Sequence, residues 1–149
     1  MQEVIIRTNY NNQIGLGHLF RTKALANKFD KNKYKITYVL DHKIKNKKLL
    51  NFDYLSLYPK NKNFTNQVVD AQILKKKIKG KNIKYIILDD YRFDKTWEKF
   101  FYKKQKKIIV FDDICNKKHL CDFLINSRWT NINLLEQKYK KLVPKTCKK

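Results

Sequence analysis

The stretch Tyr85-Ile86-Ile87-Leu88-Asp89-Asp90-Tyr91 decides the fold of this 149-residue chain. Its continuous apolar run predicts a short strand buried on both faces, as strands of parallel sheets are. The acidic pair and the tyrosine follow where the strand ends. Because ligands of open parallel sheets bind beyond the carboxyl ends of the strands, these polar residues are candidates for a functional site.

Strand-like and helix-like segments alternate on both sides of this stretch. Further strands are predicted at residues 4–6, 35–40, 54–57, 107–111 and 123–125. Helices are predicted at residues 19–29, 67–78 and 94–103, the first with the apolar pairs Phe20/Ala24 and Leu25/Phe29, and the last capped by Asp94. This order predicts an α/β fold with one Rossmann-like parallel sheet, helices on both faces and right-handed crossovers.

The segment Ile14-Gly15-Leu16-Gly17-His18-Leu19-Phe20-Arg21 connects the first predicted strand to the first predicted helix, and it holds two of the three glycines. Glycine permits positive φ and lets a ligand approach the unpaired N–H groups at a helix start. This placement favours an active-site loop. A G-x-G triplet is also common in a plain turn before a helix.

His18 is predicted in the first turn of that helix, where the helix dipole and the positive field of the chain disfavour a charged imidazole. A neutral imidazole can accept a proton, as a general base must when it activates water. Arg21 shares the same helix face, where its charge could hold a carboxylate, a phosphate or a sugar hydroxyl. The two residues predict a catalytic base beside a substrate-binding cation.

Polar residues follow other predicted strands as well. Thr8 and Asn9 follow the first strand, Asp112 and Asp113 follow residues 107–111, and Asn126 follows residues 123–125. Each of them could be only a loop or helix-cap residue. Because the carboxyl ends of parallel strands share one edge, we expect them to meet the segment of residues 14–21 there.

The net charge of +22 comes almost entirely from lysine, since Arg7, Arg21, Arg92 and Arg128 are the only arginines. Specific readers of phosphates and bases usually rely on arginine. Lysine is spread along the whole chain, and aromatic residues do not alternate with it as in a stacking surface. This composition favours solvated lysine faces over a nucleic-acid or membrane patch, although it leaves that patch open.

Three cysteines, Cys115, Cys121 and Cys147, are most simply free thiols. Cys115, His119 and Cys121 form a C-x3-H-x-C cluster, but a structural zinc needs four ligands and no fourth is evident. No metal site is therefore predicted.

No apolar run approaches the roughly 20 residues of a membrane-spanning helix. The first residues lack the basic and apolar regions of a signal peptide. A cytoplasmic protein is expected.

An ordered set of motifs resembles one known enzyme family. The set comprises I-G-x-G-H-x-x-R at residues 14–21, Asp89-Asp90-Tyr91, Asp112-Asp113, Cys121-Asp122 leading into Ile125-Asn126, and Tyr139 with Val143-Pro144. It is similar to the N-terminal half of the UDP-2,4-diacetamido-2,4,6-trideoxy-β-L-altropyranose hydrolases of pseudaminic acid biosynthesis. The resemblance spans essentially the whole chain.

The resemblance implies that residues 1–149 form a single domain equivalent to the N-terminal domain of a GT-B glycosyltransferase-like fold. It implies cleavage of the anomeric C–O bond of the UDP-sugar with inversion, without a cofactor, and release of UDP. His18 would be the base that activates water, and Tyr91 would lie near the sugar. The C-terminal nucleotide-binding domain of the family is absent from this chain, so a second domain or a protein partner is expected, and the chain alone is expected to have little or no activity. It could be a fragment of a longer gene product, one subunit of a split enzyme, or a degenerate chain that keeps the fold without turnover.

The candidate site therefore has His18 as the catalytic residue. Its candidate substrate-binding residues are Gly15, Gly17, Arg21, Asp90, Tyr91, Asp113 and Asn126. One alternative is half of a split GT-B glycosyltransferase, in which an alcohol replaces water as the acceptor. The other is a lysine-rich nucleic-acid-binding module, which would gather its lysines on one face.

Overall fold

A six-stranded, all-parallel sheet organises the chain. The computed structural model describes residues 1–10, 16–44, 47–103, 105–128 and 131–149, without the side chain of Lys47. Within these residues the strands are β1 (Gln2–Thr8), β2 (Tyr34–Leu40), β3 (Asp53–Ser56), β4 (Ile83–Asp89), β5 (Lys107–Phe111) and β6 (Phe123–Ile125). They lie in the order β3-β2-β1-β4-β5-β6, which confirms the predicted Rossmann-like sheet.

Helices cover both faces of this sheet. They are α1 (Gly17–Ala26), α2 (Gln67–Lys77), α3 (Lys95–Glu98) and α4 (Ile132–Tyr139), with a short 3-10 helix at Lys47–Leu49. Among the described residues, none of the helices is long and apolar enough to cross a membrane.

Alternating side chains of the central strand β1 divide the core into two clusters. Ile5 packs in the cluster that contains Leu74 of α2 and Trp97 of α3. Val4 and Ile6, on either side of Ile5 in the sequence, belong to the opposite cluster, which contains residues of α1. Because successive strand residues point to opposite faces, a continuous apolar strand needs helices on both sides.

The prediction for the first helix is wrong about the pair Phe20/Ala24 and about the end of the helix, whereas Leu25 and Phe29 do pack against the core. Phe20 is 51% exposed, and the buried residues of α1 are Leu19, Thr22 and Ala26. Thr22 can be buried because its hydroxyl donates to the carbonyl of His18, four residues earlier, at 2.8 Å. Apolarity alone could not identify this face.

The third predicted helix is much shorter than residues 94–103. Asp94 does cap it, by accepting from the backbone N–H of Thr96 at 2.7 Å. The chain then tightens into turns, with the N–H of Phe101 bonded to the carbonyl of Glu98, three residues earlier. This turn places the centroid of the Phe101 ring 4.5 Å from the centroid of the Trp97 ring in the core.

The helix α4 was not predicted. Asn131 caps it, because its side chain accepts from the backbone N–H of Leu134 at 3.2 Å. Leu135 and Tyr139, one helical turn apart, are its buried residues. This cap and this spacing were visible in the sequence.

Candidate active site

His18 meets a carboxylate at the carboxyl edge of the sheet. It is the second residue of α1, and its Nδ1 lies 2.5 Å from Oδ1 of Asp89, the last residue of β4. An ionised carboxylate can only accept a hydrogen bond, so Nδ1 carries the hydrogen in this contact, and in the neutral imidazole Nε2 is then the accepting nitrogen. Asp89 therefore orients the imidazole and fixes its tautomer.

Tyr91 flanks the same imidazole. The rings of Tyr91 and His18 meet edge-on, with centroids 4.8 Å apart. The Tyr91 hydroxyl donates to Oδ2 of Asp113 at 2.9 Å, which ties the aromatic ring to the strand-end carboxylates. Burial raises the pKa of the Tyr91 phenol above its ordinary value, although the bond from Arg21 opposes this, so the phenol stays protonated in neutral solution.

Arg21 joins the carboxylates that follow β4 and β5. Its Nε donates to Asp89 at 2.6 Å, its Nη2 donates to Asp89 and its Nη1 donates to Asp113. Burial by itself lowers the pKa of Arg21, but the bonds to these carboxylates outweigh burial and raise it. The guanidinium charge is thus already neutralised, so the geometry favours a role in holding Asp89 over direct binding of an anion.

The carboxylate of Asp113 is held ionised by its hydrogen-bond donors. Its Oδ1 accepts from the backbone N–H of Ser127 at 2.7 Å and from the Ser127 hydroxyl at 2.9 Å. Burial raises the pKa of Asp113, but the bonds from Ser127, Arg21 and Tyr91 lower it to about 2. We call His18, Arg21, Asp89, Tyr91 and Asp113 the Arg21 cluster.

A cavity of about 230 Å³ opens beside the Arg21 cluster, lined by Asn9, His18, Asp89, Asp90, Tyr91 and Arg92. It is smaller than the roughly 300–1,000 Å³ typical of whole-ligand pockets, so it suits one ring-sized part of a ligand. A larger space of about 570 Å³ lies beside α4 and is lined mainly by lysine and amide side chains. Because it contains no imidazole, it is the weaker candidate for catalysis.

A second group of ion pairs fixes two other lining residues of the cavity, Asp90 and Arg92. Arg92 donates to Asp90 at 2.6 Å and to Asp41 at 2.8 Å. The buried Arg7 donates to Asp41 at 2.5 Å and to Asp70 at 2.6 Å. We call these five residues the Arg7 cluster; it holds Asp90 in place at the cavity.

Sequence reasoning missed the roles of Asp41 and Arg92. Asp41 follows β2 directly, so the rule that identified polar residues after the other strands could have found it. Arg92 follows Tyr91 in the sequence, but no spacing signals its bonds to Asp41.

The cysteine–histidine cluster of the sequence disperses in the structure. Nδ1 of His119 lies 2.7 Å from Glu98, and its Nε2 lies 3.6 Å from Asp112. Sγ of Cys121 lies 3.5 Å from Sγ of Cys147. Within the described ranges, no group of three or more His, Cys, Asp and Glu side chains is arranged as a metal site.

The predicted site residues have different positions. His18, Asp90 and Tyr91 line the cavity. Arg21 and Asp113 do not line it, but they are bonded to each other within the Arg21 cluster. Gly15 lies outside the described residues. Two predicted binding residues lack the geometry expected of them.

Gly17 does not need to be glycine in this backbone. Among the described glycines only Gly80 has positive φ, and a Cβ added at Gly17 would meet no atom of the described residues within 4 Å. Asn126 supports the fold rather than the cavity wall, because its amide donates to the backbone carbonyl of Asp112 at 2.8 Å.

A scan against models of protein families finds no match to this chain, and a search of curated proteins finds none either. The chemistry of the site is therefore inferred from the order of the motifs and from the arrangement of the Arg21 cluster.

Proposed function

We propose that this chain provides the water-activating half of a UDP-sugar hydrolase. The substrate would be a UDP-linked 2,4-diacetamido-2,4,6-trideoxy sugar, cleaved at its anomeric C–O bond in the biosynthesis of pseudaminic acid-type nonulosonates. The resemblance of the motifs at residues 14–21 and 89–91 supports the choice of substrate. The Rossmann-like sheet is compatible with the N-terminal domain of a GT-B fold.

The single observation that carries the proposal is the contact of His18 with Asp89 at the cavity. Departure of UDP leaves an oxocarbenium-like carbon, so water must be activated on the opposite ring face. Nε2 of His18 would take the proton from that water. Asp89 would stabilise the positive charge that the imidazole then gains, as the carboxylate of a catalytic triad does.

The departing diphosphate needs positive charge from another source. Arg92 lines the cavity and Arg21 contacts the lining residue His18, and each guanidinium is bonded to two aspartates. An anion would have to compete with these bonds. A second domain or a protein partner would therefore hold the UDP, while this chain holds the sugar and the water.

The reaction can be tested in water labelled with heavy oxygen. The protein is incubated with the UDP-sugar, alone and with the separately expressed C-terminal domain of a two-domain hydrolase of the resembled family. With the added domain we expect release of UDP that carries no label, and a sugar product of inverted configuration that carries the label. Label in the UDP would show P–O cleavage and overturn the proposal, and transfer only to an added alcohol would indicate a glycosyltransferase instead.

Substitution of the base gives a second test. His18→Ala should lower UDP release by about 10²–10⁴-fold, the usual contribution of a general base. His42→Ala is a matched control, because His42 is an exposed histidine hydrogen-bonded to Asn63. Unchanged turnover in His18→Ala would remove His18 from the mechanism.

Binding to the chain alone can be measured as well. The free diacetamido sugar should shift the NMR signals of the His18 ring, and Tyr91→Ala should weaken this binding. No shift at millimolar sugar would argue against the cavity as the sugar site, whatever the second domain does.

A further inference from the structure

The C-terminal segment joins the edge of the sheet beside β6. Lys148 forms an isolated parallel bridge with Phe123. Its N–H donates to the carbonyl of Asp122 at 2.9 Å, and its carbonyl accepts from the N–H of Leu124 at 2.8 Å. These bonds fix the position of Cys147 relative to Cys121, although the two residues are 26 positions apart in the sequence.

The two thiols face each other in the core. Their sulfur atoms lie 3.5 Å apart, and the exposed fractions of the residues are 0% for Cys121 and 6% for Cys147. Neither thiol is a lining residue of the cavity of His18, so the redox chemistry of this pair does not use the groups of the proposed hydrolysis.

The surroundings make the two thiols unequal. The hydrogen bond with Cys121 lowers the pKa of Cys147; burial opposes this, and the nearby charges of Lys149 and His119 add to the lowering. Asp122 is the acidic neighbour that acts in the opposite direction. The same hydrogen bond and burial raise the pKa of Cys121. Cys147 is therefore the better nucleophile, since the thiolate is the reactive form.

We propose that Cys121 and Cys147 are a reversible dithiol–disulfide pair that is oxidised by peroxides. The Cys147 thiolate attacks one peroxide oxygen, the O–O bond breaks, and the departing hydroxide takes a proton to give water. The Cys121 sulfur then attacks the resulting sulfenic sulfur, the S–S bond forms, and a second hydroxide leaves with the Cys121 proton as water. Two electrons pass from the two thiols to one peroxide.

The disulfide would close the loop that supports the Arg21 cluster. Residues 121–147 include Ser127, which binds Asp113, and Tyr139, which binds Asp112 at 2.9 Å. A cross-link over such a loop restricts the unfolded chain. We therefore expect the oxidised protein to have a Tm higher by roughly 10 °C.

The test compares reduced protein with protein treated briefly with hydrogen peroxide. Free thiols are alkylated under denaturing conditions and counted by mass spectrometry, and the Tm is measured with and without dithiothreitol. Wild type should lose two of its three alkylated thiols, yield a cross-linked peptide containing Cys121 and Cys147, and show the higher Tm. Dithiothreitol should reverse all three changes.

Variants identify the pair. Cys147→Ser and Cys147→Ala should lose both the cross-link and the rise in Tm, whereas Cys115→Ser, in the third cysteine, should keep them. Three free thiols after treatment, a bridge that involves Cys115, or oxygen added to Cys147 in wild type without a bridge would overturn the inference. These wild-type readouts decide the matter even if a variant folds poorly.

Discussion

His18 and His119 each contact a buried carboxylate through Nδ1, at 2.5 Å to Asp89 and 2.7 Å to Glu98. Their second nitrogens have different surroundings. Nε2 of His119 lies 3.6 Å from Asp112, so this imidazole is enclosed by carboxylates on both sides. His18 contacts Asp89 through Nδ1 and is a lining residue of the cavity, together with Asp89 and Asp90.

The charged groups around the two histidines also differ. Burial by itself lowers the pKa of His119, but Asp112 and Glu98 raise it to about 9, so His119 is a cation in neutral solution. At His18 the charge of Asp89 is shared with Arg21, which donates to both of its oxygens. Contact with a buried carboxylate therefore does not by itself identify a catalytic histidine. The two sites differ in the partners of the carboxylate, because Asp89 is paired with Arg21 as well as with His18, whereas Glu98 is paired with His119.

Removal of His119 should have the largest effect on stability. In His119→Leu the fully buried Glu98 loses its cationic partner and keeps a bond from the backbone N–H of Leu120. Loss of one partner of a buried ion pair costs about 3–5 kcal/mol. Urea unfolding of wild type and variant measures this loss.

A second substitution separates charge from packing. Glu98→Gln added to His119→Leu removes the unpaired charge and should recover part of the lost stability. By contrast, His18→Ala should lower the free energy of unfolding by less than about 1 kcal/mol, because Arg21 still neutralises Asp89. Equal losses at the two histidines would refute the distinction between them.

The pH dependence of stability should show His119 next. Its pKa is raised in the folded state, from an ordinary 6.5 to about 9. Its contribution is therefore complete below pH 6.5 and is lost as the pH rises through about 9. The loss over this window is at most about 3 kcal/mol.

The variant His119→Gln isolates this effect from other groups that titrate in the same window. The difference in unfolding free energy between wild type and His119→Gln should shrink as the pH rises from about 6 to about 10, a window that contains both pKa values of His119. A difference that is constant with pH would mean that His119 is not held as a cation.

Asp89→Asn tests the other histidine through catalysis. The amide can donate a hydrogen to Nδ1 and so favours the wrong tautomer of His18, the effect of the same change in a catalytic triad. We expect kcat for UDP release to fall by about 10²-fold or more, with a smaller change in KM. Asp53→Asn is a control at an exposed aspartate paired with Lys35, and equal kcat in Asp89→Asn and wild type would exclude a positioning role for Asp89.

Much of the fold was predictable because parallel strands are continuous apolar runs. The bounds of β5 and β6 agree with the predicted residues 107–111 and 123–125. The strand-end rule also placed Asp90 and Tyr91 at the cavity. Helix α4 was not predicted, and the inner face of α1 was predicted wrongly at Phe20. Apolarity alone is insufficient in both places, because the buried residues of α1 include Thr22 and the start of α4 is set by the cap of Asn131.

The pairings within the site were not predictable from one sequence. Arg21 and Asp89 are 68 positions apart, and Arg7 and Asp70 are 63 apart. Their contacts depend on which strands are neighbours and on the directions of long side chains. A resemblance of motifs can name His18 and Tyr91, but it does not show that Asp89 binds the imidazole or that Arg21 is neutralised.

Tyr91→Phe should have a small effect on stability and test what the Tyr91 hydroxyl contributes beside His18. The phenylalanine keeps a ring beside the imidazole but loses the hydroxyl that donates to Asp113 at 2.9 Å and accepts from Arg21 at 3.4 Å. Asp113 retains Ser127 and Arg21 as donors, so the free energy of unfolding should fall by only about 1 kcal/mol. Tyr102→Phe, at an exposed tyrosine, is the matched control. A loss of about 3 kcal/mol or more, the size expected at His119, would mean that the Tyr91 hydroxyl is part of a buried network as important to stability as the buried ion pair of His119.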